Sequence, residues 1–86
     1  MDETNRRTTL RKELLKVFED LFELSPEDVG ETAGLRDELG LDSLDGADLR
    51  AELQERFNLR ISESRFVKIR RVDEVLDALD ELAPRS

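Results

Sequence analysis

Leu35-Arg36-Asp37-Glu38-Leu39-Gly40-Leu41-Asp42-Ser43-Leu44-Asp45 is the stretch from which the rest of the chain is read. It joins a Gly-containing loop to a strongly amphipathic helical run, and the change falls at Asp42. Downstream, Leu49, Leu53 and Phe57 recur every four residues, the spacing of one side of an α-helix. Asp42 then stands where a carboxylate caps a first turn. Ser43 stands beside carboxylates at the positive end of that helix, a good place for something phosphorylated. Taken alone, Asp-Ser-Leu reads more simply as a cap, because Asp, Ser and Thr are the ordinary residues of helix starts.

Working outward, Leu10, Leu14, Val17, Phe18 and Leu21 follow one helix face and predict a first helix over roughly residues 8–22. Ser25-Pro26-Glu27-Asp28 supplies a cap, a proline suited to a first helical position and acids for the first turn, so a brief turn of helix is expected there. The long loop that follows contains Gly30, Gly34 and Gly40, with Val29, Leu35, Leu39 and Leu41 available as anchors onto a core. The second helix is expected over about 43–57. Ser62 can cap a short third helix through about 68, carrying Phe66 and Val67. Val72, Val75, Leu76, Leu79 and Leu82 build a last helix that ends before Pro84. The expectation is an all-α fold, a small four-helix bundle of three longer helices and one short one. Residues 1–86 are read as a single domain with an ordered core over about 8–83 and frayed ends.

With 86 residues there is room for one core and no second. The charged fraction of 42% would suit disorder, but the apolar 37% recurs with helical spacing, which favours an ordered domain. A formal charge of -8 repels rather than neutralises phosphates, so nucleic acid is not an expected partner and a basic protein is. The chain has no Cys and no His, which removes disulfides and the usual zinc ligands, and no metal site is expected. No apolar run approaches the roughly 20 residues that span a bilayer, and no signal-peptide pattern opens the chain, so it is read as soluble, cytoplasmic and not membrane-bound.

On the second helix Asp45, Asp48, Glu52 and Glu55 form an acidic stripe beside a weakly apolar one of Leu44, Ala47 and Ala51, away from the core side. Charge stripes are usually solvated faces, and Ala is a good helix former. The same arrangement suits a partner whose basic residues surround an apolar patch. A hydrolytic serine needs a base such as His, and none exists here, so catalysis by the chain itself is not expected.

The stretch 35–45, followed by Leu49, Leu53, Phe57 and Ile61 and by Lys68-Ile69-x-x-Val72, resembles the attachment region of acyl carrier proteins, over about residues 10–82. The resemblance implies a discrete, non-catalytic, monomeric carrier of acyl-carrier fold with 4'-phosphopantetheine on Ser43, whose terminal thiol holds acyl groups as thioesters for fatty-acid or specialised polyketide-type biosynthesis. Asp42 and Leu44 would hold the motif in place. A phosphopantetheinyl transferase would load Ser43 from coenzyme A. Acyl-transfer, ligase or ketosynthase-type enzymes with basic patches would dock on Asp45, Ala47, Asp48, Arg50, Ala51, Glu52 and Glu55. Leu53, Phe57, Ile61, Phe66 and Ile69 would line an acyl pocket.

Three departures from the familiar fatty-acid pattern tilt the reading toward a specialised pathway. Gly46 lies in the first turn of the second helix, where it is expected to loosen the backbone beside Ser43. Arg50 and Ala51 replace larger apolar residues, which makes the docking face more polar and adds a positive charge. Phe66 stands where the family often has a small residue, between Ile61 and Ile69. The competing readings are an aminoacyl or peptidyl carrier of a nonribosomal pathway and an unmodified acidic helical adaptor.

Overall fold

A computed structural model describes residues 3–84, which form four α-helices: α1 (Glu3–Phe22), α2 (Ser43–Arg56), α3 (Glu63–Phe66) and α4 (Val72–Leu82), with a 3-10 turn at Pro26–Asp28. Among the described residues there is no strand, only an isolated antiparallel bridge between Gly34 and Arg71. Among the described residues no helix is long and apolar enough to cross a membrane.

The apolar periodicity places one core. Leu14, Val17 and Phe18 of α1, Leu49 and Leu53 of α2, and Val75, Leu76 and Leu79 of α4 are fully buried in a single cluster, so each long helix turns one stripe inward. Leu21 falls at the margin of the α1 stripe and is 37% exposed.

α1 begins at Glu3 rather than near residue 8. The apolar rhythm starts only at Leu10, and tertiary contacts bind the preceding turn. Arg6 Nε donates to Asp80 Oδ1 (2.8 Å) and Arg6 Nη2 to Ala83 O (2.9 Å) and Asp80 O (3.3 Å). Arg7 Nη1 donates to Asp77 Oδ1 (3.0 Å). Arg6 thus meets carbonyls at the end of α4 that have no acceptor role within the helix. The fraying expected before residue 8 therefore does not include residues 3–7; for residues 1, 2, 85 and 86 it lies outside the described residues.

α2 ends one residue before the predicted boundary. Phe57 is its C-cap, Asn58 adopts the left-handed conformation (φ 53°), and Leu59 N–H returns to Gln54 O (3.1 Å), which closes the last turn. α3 is shorter than residues 62–68: Ser62 Oγ accepts the Arg65 N–H (3.2 Å), and the chain leaves the helix after Phe66.

The loop between α1 and α2 is held along its length. Val29, Ala33, Leu35 and Leu41 are buried and Leu39 is half-buried. Its backbone pairs with the entry to α4 through Leu35 N–H to Arg70 O (2.8 Å), Val72 N–H to Ala33 O (3.1 Å) and Asp73 N–H to Glu31 O (2.7 Å). Gly40 takes φ +72°, a conformation in which any Cβ is strained, and so turns the chain toward Asp42. The start of α2 is thereby placed against a fixed loop.

Candidate functional site

Asp42 caps α2 with both its backbone and its side chain. Asp42 Oδ1 accepts the Asp45 N–H (2.9 Å), and Asp45 Oδ2 accepts the Asp42 N–H (3.2 Å), a reciprocal box that fixes the first turn. Because Asp42 does this work, Ser43 is not needed for it. Ser43 is the first helical residue, exposed, and its hydroxyl makes no hydrogen bond among the described residues.

The other described serines differ on this point. Ser25 Oγ donates to Asp28 Oδ2 (2.8 Å), Ser62 Oγ caps α3, and Ser64 Oγ lies 3.4 Å from Ser62 Oγ. Ser43 alone among them offers an uncommitted hydroxyl at the N-terminus of a helix longer than one turn, where the dipole favours an anionic substituent. Leu44 beside it is 75% exposed. Unlike the core leucines of α2, it lies mostly in solvent.

The acidic stripe of α2 divides in two. Asp45 is half-buried and engaged in the capping box, and Glu52 is half-buried and paired with Arg56 (2.9 Å), which also reaches Asp20 of α1 (3.1 Å). The Asp20 hydrogen bond is the main reason the Arg56 guanidinium is held above its ordinary pKa, and Glu52 adds to it. Asp48 and Glu55 are exposed without an ion pair among the described residues, next to exposed Ala47 and Ala51. Arg50, expected to add a positive charge to the docking face, also makes a contact within the fold. It is half-buried, and its Nε donates to Ile61 O (2.7 Å), tying α2 to the segment before α3. Gln54 Oε1 accepts the Ile61 N–H (2.9 Å) from the same helix.

The five residues expected to line an acyl pocket belong to the core or pack on it. Leu53, Ile61 and Phe66 are buried; Phe57 and Ile69 are half-buried against the cluster. Phe66 is 8% exposed, and a Cβ built on Gly46 would lie 3.8 Å from its Cε2, so its ring edge faces the first turn of α2. Gly46 leaves that turn bare opposite the ring. Two surface grooves lie elsewhere. One runs along α1 beside Thr9, Lys12, Leu15, Lys16 and Pro26; the other is lined by Arg50, Ala51, Gln54, Glu55, Leu59 and Arg60.

Val67 was not marked as a surface feature by the sequence, yet it is 69% exposed. A single-turn helix is too short for periodicity to assign its faces. The Asp42-x-x-Asp45 spacing, by contrast, is a capping-box signal that does separate Asp45 from the free acids.

The fold thus presents an uncommitted serine hydroxyl at the start of a capped helix. The family described as phosphopantetheine attachment site matches residues 12–79. The acyl carrier protein of Syntrophus aciditrophicus is 34% identical over 71 residues, 83% of this chain and 89% of that protein. Acyl carrier protein 2 of Ralstonia nicotianae is 35% identical over 75 residues, 87% of this chain and 93% of that protein. The crystal structure of an acyl carrier protein from Thermotoga maritima superposes with a TM-score of 0.80 at 28% identity, covering 93% of each chain. The chain belongs to the acyl carrier protein family, whose covalent cofactor is 4'-phosphopantetheine.

Proposed function

We propose that Ser43 takes the 4'-phosphopantetheine arm and that the chain serves as a discrete acyl carrier in a specialised, polyketide-type or acyl-transfer pathway rather than in bulk fatty-acid synthesis. The observation that carries the site is the uncommitted Ser43 hydroxyl, set against the bonded hydroxyls of Ser25, Ser62 and Ser64. When bound, the arm supplies a terminal thiol that holds an acyl group as a thioester. Asp42 and Asp45 hold the first turn, and the helix end favours the negative phosphodiester at Ser43. With no His in the chain, the base that accepts the Ser43 proton belongs to the transferase.

Asp48, Glu55, Ala47, Ala51 and Leu44 form the surface offered to acyl-transfer, ligase or ketosynthase-type enzymes bearing basic patches. Phe66 supports the specialised reading. Its buried ring lies against the first turn of α2 at Gly46, so short or polar acyl groups travel largely exposed and are buried by the enzyme. In this reading the chain works as a cytoplasmic monomer.

Intact-mass analysis after incubation with coenzyme A and a broad-specificity phosphopantetheinyl transferase tests the site. One adduct is expected on the wild type and none on a folded Ser43→Ala variant. An adduct mapped to Ser25, Ser62 or Ser64 overturns the assignment. No adduct at all favours the unmodified adaptor.

A further inference from the structure

α3 and its flanks invert the charge of the molecule. From Arg60 to Arg71 the chain places five basic residues against one acid, Glu63, within a total formal charge of -8. Part of this is neutralised internally: Arg65 pairs with Glu81, and Arg71 with Asp73. Arg60, Lys68 and Arg70 are exposed and make no ion pair among the described residues. Arg36, also exposed and unpaired, is brought toward Arg70 by the hydrogen bond between Leu35 N–H and Arg70 O. Val67, immediately before Lys68, leaves 69% of its surface in solvent. An exposed apolar side chain next in the chain to one unpaired cation, on a segment that carries others, has the composition of a recognition patch.

This basic surface adjoins the face already assigned to partners. Arg60 shares a groove with Ala51 and Glu55, and the Phe66 ring lies against α2 at Gly46, in the same turn as Ser43. We propose that α3 and the turn after it are a second, basic half of the docking face, and that a partner enzyme bears carboxylates around an apolar socket opposite Val67 as well as cations opposite Asp48 and Glu55. The proposal rests on Ser43 as the attachment point, because that makes the surrounding surface the one a partner covers. Charge complementarity selects a protein. A nucleic acid or an anionic membrane is negative throughout, and the acids of α2 beside the same groove repel it. A face of two signs also fixes orientation, since rotating the partner by half a turn sets like charges together.

The test uses the full chain, loaded by the transferase, mixed with an extract of its source organism and treated with a water-soluble carbodiimide, which joins a lysine amine to a carboxylate in contact with it. Lys68 is expected to be joined to Asp or Glu of the same protein whose lysines are joined to Asp48 or Glu55. Lys12 and Lys16 on α1 serve as internal controls. Association of that protein with the folded double variant Lys68→Glu, Arg70→Glu is expected to fall about tenfold at low salt. Links from Asp48 or Glu55 without any from Lys68, or no link from either half, overturn the proposal and leave the carrier reading intact. So does a Lys68 contact abolished by nuclease, or retention of the wild type but not the double variant on phosphatidylglycerol vesicles. A chain that gains no arm mass is a separate result, which removes the carrier reading and this proposal with it.

Discussion

At the scale of single residues, Gly46 is the position where helix propensity and packing make opposed demands. A glycine inside a helix costs about 0.5–1 kcal/mol relative to alanine, because it gives up more backbone freedom. Here the missing side chain faces Phe66, but an added Cβ would meet the ring at 3.8 Å, an ordinary contact. Gly46→Ala is therefore expected to stabilise the fold by about 0.5–1 kcal/mol, read from urea unfolding with an unchanged slope. A destabilised variant would show that the ring needs the open turn. Asp45 carries a related lesson: it stands in an acidic row, but its carboxylate is held by the Asp42 N–H and serves the cap.

At the scale of elements, the molecule joins its helices through side chains from different segments. Arg6 ties α1 to the end of α4, Arg56 ties α2 to α1, and Arg50 ties α2 to the approach to α3. Arg65 joins α3 to α4 through Glu81, and this link is pH-sensitive. The hydrogen bond from Arg65, and then its charge, hold the Glu81 carboxyl below its ordinary pKa. A carboxylate whose folded pKa is depressed stabilises the fold above its unfolded value, and that contribution is lost as the pH falls through the folded one. Both side chains are well exposed, so the effect is screened and small. An NMR titration is expected to place the Glu81 midpoint below that of an ordinary glutamate, and Glu81→Gln is expected to lessen the loss of stability on acidification. A midpoint at or above the ordinary value would break the argument.

At the scale of the whole molecule, charge and cargo are the two properties a partner meets. Asp48 and Glu55 are the unpaired acids of the α2 face, so reversing both to Lys is expected to slow association with the loading transferase about tenfold at low salt and to flatten its salt dependence, with helicity unchanged. Equal rates for the two proteins at every ionic strength would mark these acids as merely solvated. For cargo, Phe66→Ala is expected to cost about 3 kcal/mol, the usual penalty for emptying a buried aromatic site. Thermal melts of loaded forms with increasing acyl length are then expected to rise in the variant and stay flat in the wild type. A wild type that gains stability with every added carbon would show that it already shelters its cargo.

The features that the sequence determined by itself are those whose causes lie within a turn or two of chain. Apolar spacing set the inward stripes of α1, α2 and α4, Asp42 and Ser62 marked helix starts, and the motif drew attention to a serine whose hydroxyl the fold leaves uncommitted. Tertiary structure alone decided the remainder. Arg6 and Arg7 carry no apolar signal, and their turn is helical in company with Asp77, Asp80 and Ala83 at the far end of the chain. Arg50 reads as a surface charge until Ile61 O is brought to it, and one helical turn is too short to say that Phe66 faces inward while Val67 faces solvent. Local pattern records which side of a helix is apolar; where two helices meet, and which charges that meeting leaves unpaired, depends on packing between segments far apart in sequence.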